Sequence, residues 1–134
     1  MAYEAWHLVI TMRDVAAGVL LRYPAPACAL MQRIRDAAGM VYLAAPISLY
    51  AEGQDKAWGP GVTVLMPLQD SHMSLHCLEL ERAVFFDLFS CRQADFGAVV
   101  QTLRLAFGGS GHATLYDRVG GREDRTWAWG VNSG

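Results

Sequence analysis

The segment Asp70-Ser71-His72-Met73-Ser74-Leu75-His76-Cys77 gathers residue types that can do chemistry: two of the chain's four histidines, two serines and a cysteine. Four readings compete. His72 and His76, at i and i+4, would suit one metal ion on a helix face, but the surroundings read as a strand. Four residues along a strand span about 13 Å, too far for a single ion, so no metal is expected. A Ser-His hydrolase would use the same residue types, yet no G-x-S-x-G elbow is present, and triad partners are defined in space. A histidine on a strand can equally be a satisfied polar residue with no catalytic task. The fourth reading is self-processing. The Ser71 hydroxyl attacks the preceding carbonyl of Asp70, and an N-to-O acyl shift followed by β-elimination splits the chain. A pyruvoyl group is left on the new N-terminus, a ketone that forms a Schiff base with a substrate amine and acts as an electron sink.

The elements that must position these groups are legible from periodicity and punctuation. Trp6 to Thr11 reads as a strand and Asp14 to Arg22 as a helical turn opened by Asp14. Ala27 to Ala38 reads as a helix. Leu30, Met31, Ile34, Ala37 and Ala38 share one face, Pro24 and Pro26 precede it, and Gly39 stops it. Met40 to Leu49 reads as a strand and the Gly-rich Tyr50 to Gly61 as a loop. Three strands follow, Val62 to Leu68, Ser71 to Leu78 and Ala83 to Ser90, the last two joined by a hairpin turn at Glu79 to Arg82. Ala94 to Phe107 is a helix with Phe96, Val99, Val100, Leu103 and Phe107 in one stripe, and His112 to Val119 a final strand. The tail from Gly120 reads as polar, with Trp127 and Trp129 alternating and available to pack on a neighbour. The expected fold is α+β: an antiparallel sheet with helices on one face, a two-layer sandwich.

Composition bounds the function. With 134 residues the chain is expected to form one domain. The net charge of −2 argues against nucleic acid, which needs a basic face, and 53% hydrophobic residues exclude a disordered chain. That apolar fraction points to a buried subunit interface. No apolar run is long enough to span a bilayer and the N-terminus lacks a basic n-region, so neither a membrane span nor a signal peptide is expected. Three widely spaced cysteines, Cys28, Cys77 and Cys91, make no disulfide framework, and a cytoplasmic location is the simplest reading.

The stretch Gly61 to Cys91, GVTVLMPLQDSHMSLHCLELERAVFFDLFSC, resembles the prokaryotic S-adenosylmethionine decarboxylases. That family carries a G-V-[ST] strand, an E-S-H-x-[ST]-[IL]-H segment and a Y-A-A-[VI]-D-[LVI]-F-T-C strand. His76 and Cys91 stand five and twenty residues after Ser71, at the family's spacings. The resemblance implies a pyruvoyl-dependent, self-cleaving decarboxylase of polyamine biosynthesis. Cleavage between Asp70 and Ser71 would give a β chain, 1–70, and an α chain, 71–134, working as a homodimer of cleaved protomers, (αβ)2. Ser71 would become the pyruvoyl group, Thr63 and His76 would assist processing, and Cys91 would return a proton to the substrate carbon after CO2 leaves. His72 and Ser74 would be secondary; Asp87 matches a family aspartate that is as readily structural. Strict alternation puts Ser71 and His76 on opposite faces, so their joint use demands a kink or bulge near the cleavage site.

The chain departs from the family where the nucleoside would bind. The family continues H-T-W-P-E after the second histidine; here Leu78 and Leu80 replace the tryptophan and the glutamate. Leucine neither stacks on adenine nor hydrogen-bonds ribose hydroxyls. Glu79 or Glu81 compensates only with a register shift, and Tyr50 falls near a family aromatic that stacks on substrate. The preceding loop is longer and adds Glu52, Asp55, Lys56 and Trp58. Two substrate readings stay open: S-adenosylmethionine with a diverged pocket, or a basic amino acid, L-ornithine or L-arginine, met by Glu52, Asp55, Glu79 or Glu81. The alternative from another class is an uncleaved, non-catalytic relative that binds or regulates a partner.

Overall fold

The structure, a computed structural model, describes residues 2–16, 18–53 and 59–130. Among the described residues seven strands form one antiparallel sheet: β1 Trp6–Arg13, β2 Ile47–Ala51, β3 Gly61–Leu68, β4 Ser71–Leu78, β5 Ala83–Ser90, β6 Ser110–Asp117 and β7 Arg122–Trp129. Their order is β2-β3-β4-β5-β1-β6-β7, so the first strand lies inside the sheet, between β5 and β6. The helices are α1 Gly18–Arg22, α2 Pro24–Ala38 and α3 Phe96–Phe107. No described helix is long and apolar enough to cross a membrane.

α2 and α3 each turn one apolar stripe to the sheet. α2 buries Ala27, Leu30, Met31, Ile34 and Ala38; α3 buries the five residues of its sequence stripe. Pro24 begins α2 at the position where a missing N–H costs nothing, and Gly39, at φ 76°, ends it by returning its N–H to the Arg35 and Asp36 carbonyls. Asp95 caps α3, accepting from the Ala98 amide at 3.0 Å. The strands meet these stripes with every second residue: Leu8, Ile10 and Met12 on β1, Val62, Val64 and Met66 on β3, Met73, Leu75 and Cys77 on β4, Val84, Phe86 and Leu88 on β5. Gly61 is required where β3 passes β4, because a side chain there would strike the Cys77 carbonyl.

Several expectations are corrected. Met40 to Leu49 is not one strand: Pro46 lacks a donor and the regular strand spans Ile47–Ala51, with Tyr42 forming an isolated bridge to Leu68. Tyr50 and Ala51 therefore leave the expected loop for a strand; Asp55, Lys56 and Trp58 lie outside the described residues. Asp14, at φ 55°, opens no helix, and α1 begins at Gly18. The polar tail forms β7, paired to β6. Its first five residues are exposed, so no apolar alternation marks them. Trp129 is 6% exposed and, with Trp127, packs into the chain's own core rather than on a neighbour.

Candidate active site

The two faces of the sheet differ sharply. On the helix-free face lie all four histidines, His7, His72, His76 and His112, by the alternation of their strands. Thr63, Ser74, Leu78, Asp87 and Phe89 share that face. Thr63 stands directly opposite His76 across β3 and β4, and its Oγ1 lies 3.0 Å from His76 Nδ1. The ring of His72 stacks on Phe89 at 5.6 Å. His7 Nε2 meets Asp87 Oδ1 at 2.8 Å, which gives Asp87 a definite structural partner.

Ser71 occupies the opposite parity. It opens β4 after the tight turn Gln69-Asp70, in which Asp70 takes φ 62°. Its partner across β5 is Ser90, and Ser71 Oγ donates to Ser90 Oγ at 3.2 Å. The oxygen of the Asp70 carbonyl, whose carbon the hydroxyl would attack, accepts the Cys91 amide at 3.1 Å. An N–H on that oxygen stabilises negative charge developing there. Arg92 reaches back to the Asp70 carboxylate at 3.0 Å. A cavity of about 40 Å³ abuts Ser71 beneath Gly39, Met40 and Gln69. Cys91 is exposed, at the edge of an open cavity of about 640 Å³ that Tyr3, Glu4 and Phe89 also line. Asp70, Ser71 and Cys91 are thus brought together at one end of the sheet.

Thr63 and His76 are not brought to that end. β4 pairs without a break on both sides from Ser71 to Leu78 and carries no bulge. Continuous ladders on both flanks leave no slack for the kink that joint use within one chain demands, and His76 stands about 16 Å along the strand from Ser71. Tyr50 and Glu79 are farther still, at the opposite end, about 20 Å from Ser71 by strand rise. Tyr50 Oη donates to Glu79 Oε2 at 3.0 Å, and Arg22 lies 3.6 Å from Oε1. Partial desolvation and the bond to Glu79 raise the Tyr50 phenol above its ordinary range. Glu79 is therefore committed to partners inside the chain. Leu78 is half-buried on the helix-free face and Leu80 is exposed in the hairpin turn.

Sequence reading missed Ser90 and Arg92. Ser90 had a legible signal: it continues the parity of Val84, Phe86 and Leu88, so a polar residue sits where the pattern demands a core one. Arg92 had none, since its link to Asp70 exists only across the sheet end. Cys77 lies in the core, and burial pushes its thiol up to about 12.

A solved structure, the adenosylmethionine decarboxylase of Aquifex aeolicus VF5, superposes with a TM-score of 0.68 at 13% identity, covering 87% of this chain and 92% of that one. At that identity the likeness concerns the fold. Among curated protein sequences none matches. A sequence pattern described as S-adenosylmethionine decarboxylase matches residues 6–118, from the first strand through the turn after β6. That match spans most of the chain, Asp70, Ser71, His76 and Cys91 included, and the chain belongs to the S-adenosylmethionine decarboxylase family.

Proposed function

We propose that this chain is a self-processing decarboxylase that removes CO2 from an α-amino acid. The observation that carries the reading is the grouping at the sheet end: the Ser71 hydroxyl, the Asp70 carbonyl held by the Cys91 amide, and the exposed Cys91 thiol. These residues fit the pyruvoyl group that such a serine yields, since the nucleophile, the bond to be cut and an oxyanion donor are already adjacent. The ketone supplies an electrophile for the substrate amine and a sink for the electrons left when CO2 departs. Ser71 provides the atoms of that group. Cys91 holds a proton beside it and returns it to the substrate carbon, and the 640 Å³ cavity at Cys91 gives a small substrate a way in.

The distance of the Thr63–His76 dyad from Ser71 in its own chain supports a homodimer as the working unit. Ile47, Leu49, Leu65 and Phe85 are exposed on the same helix-free face as the dyad. Two copies meeting through these faces, as (αβ)2, bury the apolar patch and carry each dyad toward the partner's Ser71. The Ser71 side chain faces the helices, but its main chain lies in the sheet and is approached from the open face.

The substrate stays within two chemistries. Family membership favours S-adenosylmethionine. Leu78 and Leu80 leave ribose and adenine without their expected partners, which favours L-ornithine or L-arginine; Glu79, paired with Tyr50 and Arg22, is withdrawn from either substrate. Intact-mass measurement of the purified chain tests the core of the proposal. Fragments 1–70 and 71–134, the second with a pyruvoyl terminus, are expected, and Ser71→Ala is expected to abolish cleavage. CO2 release from the three substrates in parallel then identifies the one used. A chain that stays whole and releases no CO2 is the non-catalytic relative instead.

A further inference from the structure

Among the described residues, Ser90 is the one polar side chain that is fully buried, at 0% exposure. Its hydrogen bonding is complete. Ser90 Oγ donates to the Arg92 carbonyl at 2.6 Å and accepts the Arg92 amide at 3.2 Å. One lone pair is left, and the Ser71 hydroxyl donates to it at 3.2 Å. A serine oxygen has one proton and two lone pairs, so with these three bonds Ser90 has nothing further to give or take.

We propose that Ser90 is a positioning residue for self-cleavage, an inference that rests on the self-processing reading above. Because its own proton is held by Arg92, Ser90 meets Ser71 only as an acceptor. The Ser71 hydroxyl proton is thereby turned toward Ser90, one rotamer of Ser71 is selected, and its lone pairs are left free for attack. The turn that locks Ser90 through Arg92 also sets the Cys91 amide on the Asp70 carbonyl, so nucleophile and oxyanion donor are fixed by three consecutive residues. In the step served, Ser71 Oγ bonds to the Asp70 carbonyl carbon and the Asp70–Ser71 C–N bond breaks. The hydroxyl proton ends on the freed amine. Ser90 is chemically unchanged. The later β-elimination, in which the Ser71 Cα loses its proton and the Cβ–O bond breaks, makes no use of this contact.

The test follows full-length chain made by cell-free translation, with samples quenched in hydroxylamine over time. Mass spectrometry then separates intact amide, ester (captured as the Asp70 hydroxamate) and finished pyruvoyl chain. Ser90→Ala and Ser90→Cys remove the oxygen acceptor, Cys at nearly constant volume; Ser90→Thr keeps it. Conversion of amide to ester is expected to slow at least about tenfold in the Ala and Cys variants, the scale of one hydrogen bond in a barrier. Conversion of ester to pyruvoyl chain is expected to stay near the native rate, and Ser90→Thr to restore the first step. Native-like cleavage in Ala or Cys, equal slowing of both steps, or loss of the fold in both variants overturns the proposal and leaves Ser90 structural. Failure of the native chain itself to cleave overturns the self-processing reading, and Ser90's role with it.

Discussion

Ser71 and Cys91 stand twenty residues apart and are neighbours because Asp70 and Cys91 share a hydrogen bond across the sheet end. In the proposed reaction that proximity would let one serine supply the reactive group and one cysteine manage a proton beside it. The two tasks separate by mutation. Cys91→Ala keeps the backbone amide that holds the Asp70 carbonyl, so cleavage is expected to proceed. Its CO2 release is expected to fall by about 10² or more, the usual contribution of a positioned acid. Normal turnover by Cys91→Ala, measured as CO2 per cleaved chain, removes the thiol from the chemistry. Asp70 and Ser71, singled out by their local segment, and Cys91, singled out by the family resemblance, lie together at one end of the sheet. Tyr50 and Glu79 were also named, but they pair with each other at the far end of the sheet.

At the scale of elements, β4 has two lives. Its even residues, His72, Ser74, His76 and Leu78, face away from the helices, and its odd residues from Met73 to Cys77 sit in the core. The ladders to β3 and β5 hold that division over the whole strand. Cys77 belongs to the core half, and its thiol, raised to about 12 by burial, makes a pH prediction. The folded chain keeps this proton where the unfolded chain, with an ordinary thiol near 9, gives it up. Stability is then fully present below pH 9 and declines as the pH rises toward 12, by at most about 1.4 kcal/mol per pH unit. Cys77→Val, compared with the native chain by denaturant melts at pH 8 and pH 10.5, is expected to reduce the alkaline loss. Parallel curves at the two pH values contradict it. The elements themselves were read well wherever one face is buried, as in α3 and β5. β7 escaped because its leading residues are an exposed edge, where selection for apolar alternation is absent and charges blunt pairing.

For the whole molecule, the decisive quantity is the separation of Ser71 from the Thr63–His76 dyad, about 16 Å by strand rise and on opposite faces. If the dyad acts on the partner's Ser71, function is shared between chains and can be complemented. His76→Ala and Ser71→Ala are each expected to stay whole when made alone. When the two are made together, the His76→Ala chain in a mixed dimer keeps its own Ser71 and meets an intact partner dyad, so up to about half of that chain is expected to cleave. Mass spectrometry of the mixture distinguishes the chains by the lost imidazole. Absence of any cleavage in a demonstrated mixed dimer rejects the shared site.

The sequence by itself determined the local facts: the apolar stripes of the two long helices, the Gly39 stop of α2, and the alternation that sends His76 and Ser71 to opposite faces. These follow from the periods of helix and strand and need no knowledge of neighbours. Only the tertiary structure decided what depends on strand order and register. It put β1 beside β5 and His7 on Asp87, set Thr63 against His76, drew the tail into the sheet as β7, and closed Ser90 over Ser71. The side-chain contacts among these join residues from 13 to 80 positions apart, and a periodic pattern says which way a side chain points without saying what it meets.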